Sequence, residues 1–77
     1  MTDFKQIKHI EGLYKSKNVY FIDVLIERGG MEFRIRYPYQ LQNKAKLAMN
    51  AMKAGQPIPK PDDRPSIWLV GAAKQRY

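Results

Sequence analysis

The 77-residue chain contains no cysteine. Disulfides, thiolate metal ligands and a cysteine nucleophile are therefore excluded. A secreted domain this small usually needs such cross-links, so their absence is expected of a protein working in a reducing, cytosolic setting. There is one histidine, His9, and only two serines, Ser16 and Ser66. A lone imidazole does not make a metal site, and neither serine stands in a Gly-x-Ser-x-Gly setting. Asp62-Asp63 is an adjacent acidic pair between prolines. A hard cation needs further oxygens, so the pair is expected to form a turn or a cap. No apolar run approaches the roughly 18 residues of a membrane span. Met1 to Ile10, with Asp3, Lys5 and Lys8, is not expected to be a secretory signal. No cofactor and no metal are implied, and a non-catalytic protein is expected. The catalytic option that survives is a metal-free ribonuclease, in which Tyr37, Tyr39, Arg34, Arg36 and Tyr77 would stabilise a phosphorane and move protons.

Acidic residues are also scarce. Fourteen Lys and Arg stand against seven Asp and Glu, a net charge of +7. Residues 40–61 carry Lys44, Lys46, Lys53 and Lys60 with no acid among them. An excess of this kind favours nucleic acid, an anionic membrane or an acidic protein face, and of these no membrane partner is expected. Hydrophobic residues make up 44% of the chain and charged residues 27%, ordinary values for a globular protein. One domain, residues 1–77, is all that the length allows.

The clearest local pattern surrounds Gly29-Gly30. Val19 to Glu27 is rich in β-branched and aromatic residues, and Met31 to Tyr37 alternates apolar with charged. Alternation about a two-glycine turn signals a β-hairpin. A two-residue turn there sets Ile26 opposite Phe33, Val24 opposite Ile35, Ile22 opposite Tyr37 and Tyr20 opposite Tyr39. The other face then sets Asp23 opposite Arg36, Leu25 opposite Arg34 and Glu27 opposite Glu32. A slip of one residue would scatter the apolar face.

Pro38 is expected to end this strand, because it lacks the backbone donor. Beyond it the period becomes helical, with Leu41, Ala45, Ala48, Met49 and Met52 on one stripe. A helix from about Gln40 to Ala54 is expected, closed by Gly55. Gln56 to Pro65 holds four prolines and reads as an extended crossover. Ser66 to Val70 is a short apolar strand. Phe4 to Tyr14 suits a strand leading into a Lys15–Asn18 turn, although Ile7, Ile10 and Tyr14 would also suit a helical stripe. The expected fold is α+β: a small antiparallel sheet of three or four strands packed on one helix, in the order β-β-β-α-β, or β-β-α-β with an irregular arm.

Two surfaces stand out. Gln42, Lys46 and Lys53 share one helix flank, with Asn43 and Asn50 beside it, and such a face without carboxylates suits phosphate contacts. Arg34 and Arg36 alternate on the sheet face away from the helix, where Tyr14, Phe21 and Tyr77 could lie nearby. Arginine beside aromatics grips bases or phosphates, and it also makes protein hot spots. The candidate binding residues are therefore Arg34, Arg36, Lys44, Lys46, Lys53 and Lys60, with Trp68 as an apolar anchor. An unpaired edge strand could also join two copies.

In layout, the hairpin with Arg34-Ile35-Arg36 followed by a Lys/Ala helix, Val19 to Gly55, resembles the arm-type DNA-binding domains of phage integrases. That resemblance implies a sheet lying in the major groove, with Arg34 and Arg36 facing it. The whole order, with Ile67 to Val70 after the helix, is similar to small phage effectors, including host-polymerase inhibitors and some anti-CRISPR proteins. It implies action in a host cytoplasm by occupying a surface. The leading expectation is a basic regulatory protein contacting nucleic acid or a nucleoprotein complex. The alternative is an inhibitor or adaptor that docks on a host protein.

Overall fold

A computed structural model describes residues 7–72. Four strands and one helix follow in the order β1 (Ile7–Ser16), β2 (Val19–Arg28), β3 (Met31–Tyr39), α1 (Gln42–Ala54) and β4 (Ser66–Ala72). The strands form one antiparallel sheet in the order β1-β2-β3-β4, with the helix packed on one face. The fold is α+β, a β-β-β-α-β sheet open on its other face.

Both hairpins close through two-residue turns. Lys17 and Asn18 join β1 to β2 with φ of 51° and 65°, and Gly29 and Gly30 join β2 to β3 with φ of 61° and 79°. Positive φ at both central positions gives the left-handed turn whose twist matches its strands. At Gly29-Gly30 the absence of Cβ makes that conformation free of strain. The β2–β3 register follows from this turn. Ile26 pairs with Phe33, Val24 with Ile35, Ile22 with Tyr37, Tyr20 with Tyr39, and Asp23 with Arg36, as the alternation required.

The strand at residues 7–16 settles the N-terminal ambiguity. Ile7, Ile10 and Leu13 all face the core, paired with Ile26, Val24 and Ile22, although they are spaced by three. Two register shifts, between Ile7 and His9 and between Ile10 and Gly12, insert Lys8 and Glu11 into the ladder. Each insertion moves the next inward residue along by one.

Pro38 does not end β3, which continues through Tyr39 with Pro38 opposite Phe21. Ladder pairing between β3 and β4 begins only at Arg36 and Ser66. The Pro38 carbonyl instead accepts the Asp62 backbone N–H at 3.0 Å. The missing proline donor therefore faces the connector and breaks no ladder bond.

The core is a single cluster of Ile22, Val24, Ile26, Ile35, Tyr37, Tyr39, Ala45, Ala48 and Met52, sealed by half-buried Met49 and Ile58. Burying each large aliphatic side chain here contributes about 1.5 to 3 kcal/mol. Leu41 departs from the expected stripe. It is the extended residue before the helix, and its side chain is 66% exposed. At the other end Gln56 N–H donates to the Ala51 carbonyl and Gly55 N–H to that of Met52, with Gly55 at φ 70°. This Schellman closure satisfies carbonyls that the helix leaves open and turns the chain into the connector.

Candidate functional site

The open face of the sheet is built from the alternate residues of the strands that form the core. Arg36 donates to Asp23 through Nε at 2.9 Å and Nη2 at 3.2 Å. Arg34 donates to Glu11 through Nε at 2.5 Å and Nη2 at 2.9 Å. Both pairs are two-pronged, the geometry a planar guanidinium favours with a carboxylate. Lys8 bridges Glu32 at 2.6 Å and Glu27 at 3.5 Å. It thereby relieves the Glu27–Glu32 repulsion that the hairpin register imposes.

Aromatic rings fill the spaces between these ions. The Arg36 guanidinium lies 5.1 Å from the Trp68 ring centre, 5.5 Å from that of Tyr14 and 5.7 Å from that of Phe21. Arg34 lies 5.9 Å from Trp68, and Tyr14 and Phe21 are 5.6 Å apart. The cation–π contacts of one exposed guanidinium share a single charge and do not add, so together they are worth about 0.5 to 1 kcal/mol, and a methionine would keep the apolar part of that packing. Hydrogen bonding to Arg34 holds the Glu11 carboxyl below its ordinary range, while burial pushes the Tyr14 hydroxyl up. Three cations, Lys8, Arg34 and Arg36, meet four carboxylates, Glu11, Asp23, Glu27 and Glu32, so these paired groups bring no positive surplus to the face. A cavity of about 230 Å³ opens at its end, between Phe21, Arg36, Pro38, Asp62, Arg64 and Ser66.

The helix side is different. Lys44 donates to Asp62 Oδ1 at 3.0 Å and lies 6.0 Å above the Tyr39 ring. Asp62 Oδ2 accepts the Gln40 backbone N–H at 2.8 Å. The Gln40 bond, with Lys44 beside it, holds the Asp62 carboxyl below its usual range. Asp63 accepts the Arg64 backbone N–H, so both acids of the pair serve turn geometry. Lys44 is thus a clasp between helix and connector and is not part of a lysine row.

Lys46 and Lys53 are exposed on the other flank, where Lys53 lines a recess with Ile7, Lys8, His9 and Ile10 at the start of β1. Lys46 lies two turns earlier on the same flank. Lys15 comes from the far end of β1, 5.5 Å above the Tyr20 ring on the helix side. Lys60 is exposed in the connector. Lys15, Lys46, Lys53 and Lys60 have no carboxylate partner among the described residues.

The six candidate residues therefore divide into four places. Arg34 and Arg36 stand together on the open face, each held by a carboxylate. Lys44 is paired to the connector. Lys46 and Lys53 share a flank, and Lys60 lies apart from it. Tyr77, expected near the open face, lies outside the described residues. Sequence reasoning did not find Glu11 or Lys8 as partners, because the bulges of β1 reassign which of its residues face outward. Among the described residues no three His, Asp or Glu side chains are grouped to hold a metal ion, and no helix is long and apolar enough to cross a membrane. No known protein family, curated protein or solved structure matches this chain.

Proposed function

We propose that the chain is a non-catalytic nucleic-acid-binding protein, of the regulatory kind, that contacts the phosphate backbone through the β1 flank of its helix. The observation that carries this reading is the division of charge. Among the described residues, carboxylates pair off Lys8, Arg34, Arg36 and Lys44, and Lys15, Lys46 and Lys53 remain on the helix side without one. Unpaired lysines on a solvated flank give salt-dependent affinity without sequence preference. Lys60 adds a further contact from the connector. Arg34 and Arg36 enter as the groups that hold Tyr14, Phe21 and Trp68 in place. A nucleic acid reaching that face would stack on the rings before it displaced the carboxylates.

Fluorescence anisotropy of labelled single- and double-stranded DNA and RNA, titrated at several salt concentrations, tests the reading. Binding should weaken steeply with salt. Lys46→Ala with Lys53→Ala should lower the slope of log K against log salt by about two, one for each lysine lost. Arg36→Ala should leave that slope unchanged. No binding at low salt, or a slope indifferent to the two lysines, would remove the proposal.

A further inference from the structure

The two edges of the sheet are unlike. β1 is guarded by charged residues at Lys8, Glu11 and Lys15 and is broken by two register shifts. These are the usual devices that keep an edge strand from pairing. β4 has neither charge nor proline, and residues 65–73 carry no charged side chain at all. Ile67, Trp68, Leu69 and Val70 are 56%, 37%, 53% and 46% exposed. The helix is spent on β1, β2 and β3, and no described strand lies beyond β4.

Backbone direction can be read from Pro38. Its carbonyl meets Asp62 on the β4 side of β3, so Arg36 and Arg34, two and four residues back, also turn their backbone groups toward β4. Their partners Ser66 and Trp68 turn inward to meet them. Ile67 and Leu69, between and beyond, present N–H and C=O to the open edge.

We propose that β4 pairs with the β4 of a second copy of this chain, antiparallel and centred on Trp68, across a two-fold axis normal to the sheet. Ile67 and Leu69 then exchange both backbone bonds with Leu69 and Ile67 of the second copy. Their apolar side chains cover one another on the helix side. The two Trp68 rings meet across the axis at a non-hydrogen-bonded position, where side chains approach most closely. Sheet faces are preserved by this axis, so both helices lie on one side and both arginine–aromatic surfaces on the other.

Charge selects the occupant. Two chains of net charge +7 repel each other, and of the two sheet edges only β4 is neutral, with the lysine flank on the far side. A strongly charged partner finds no complement there. The guarded β1 edge blocks head-to-tail β4-to-β1 pairing, which would run on into a filament, and leaves the closed pair. One short strand per copy buries less than the roughly 800 Å² per partner of a standard interface, so the pair is expected to dissociate on dilution.

Sedimentation velocity in high salt, over about a hundredfold range of concentration, tests this without dependence on nucleic acid. The wild-type chain should pass from monomer to dimer as concentration rises. The near-UV circular dichroism of its single tryptophan should change over the same range. Leu69→Lys and, separately, Ile67→Lys should remain monomeric with far-UV spectra unchanged, because both positions are more than half exposed in the monomer. Lys46→Ala with Lys53→Ala should dimerise as the wild type does. A wild-type chain that stays monomeric throughout overturns the proposal, as does a dimer that persists in both lysine variants. So does a monomer whose β4 is captured only by a different protein.

Discussion

The two faces of the sheet are made from alternate residues of the same strands, yet they are held by different physics. On the helix face Ile22, Val24 and Tyr39 are fully enclosed and their contribution is burial. On the open face Asp23, Arg34 and Arg36 stand between them in sequence, partly exposed, and are held by two-pronged ion pairs beside aromatic rings. The first face determines whether the chain folds. The second determines what the surface presents, and among the described residues it presents a network of paired charges, three cations with four carboxylates, in a chain of net charge +7. Net charge taken from composition alone would assign the arginines and the lysines to one basic surface, and pairing separates them.

Val24→Asp, on the enclosed face, has the largest expected effect. A carboxylate on the enclosed face costs on the order of 5 kcal/mol or more, comparable to the whole stability of a small domain. Circular dichroism should show no cooperative unfolding transition at neutral pH. The neighbouring change, Leu25→Asp, falls on the open face opposite Arg34 and should cost less than about 1.5 kcal/mol. A folded Val24→Asp protein would show the faces to be wrongly assigned.

Tyr39→Phe is expected to be smaller. The Tyr39 hydroxyl donates to the Pro59 carbonyl at 2.9 Å, and losing that bond should cost about 1 to 2 kcal/mol by urea unfolding. Burial pushes this hydroxyl from 10.0 up to about 12. The folded state therefore resists deprotonation that the unfolded chain undergoes more readily. Its contribution is intact below pH 10 and is lost as pH rises toward 12, and the phenylalanine variant should lack this part of the alkaline decline.

Least costly is Arg36→Met. The arginine side chain is 38% exposed, so solvent screens its pair with Asp23 and the loss should be about 0.5 to 1 kcal/mol, shrinking further in salt. At low pH the open face should loosen before the core. Glu11 titrates below its ordinary value because of Arg34, so its contribution is present above the unfolded value of 4.5 and is lost as pH falls through the folded one. Glu11→Gln should flatten the acid limb of the stability curve. An unchanged limb would mean that the pair contributes nothing.

The readable parts of the sequence were those in regular register. The hairpin could be aligned residue by residue because Gly29-Gly30 fixed its turn and Ile22, Val24, Ile35 and Tyr37 left one alignment with a continuous apolar face. Asp23 and Arg36 came with that alignment. β1 was ambiguous because its bulges space Ile7, Ile10 and Leu13 at three, an interval a helix would also give. The same bulges hid Glu11 from Arg34. Lys44 reads in the sequence as one of four lysines in an acid-free stretch, because Asp62, eighteen residues later, returns to it only through the connector, and no local pattern encodes that return. The position of Trp68 beneath both arginines likewise depends on which strand β4 joins.

Asp62 has a further consequence, for the order in which the chain assembles. β1, β2 and β3 are joined by two-residue turns and can zip from local contacts. β4 must return past the helix and connector, and Asp62, bonded to Pro38, Gln40 and Lys44, closes that long loop. Loop-closure entropy places such a step late. Asp62→Ala should therefore speed unfolding and leave the folding rate nearly unchanged in chevron measurements, whereas a slowed folding limb would place the latch in the transition state. If β4 docks last, every folding chain passes through a meander whose β3 edge is still vacant. At high concentration a neighbour's β4 can reach that edge before the chain's own, so the characteristic error of this fold is an exchanged strand.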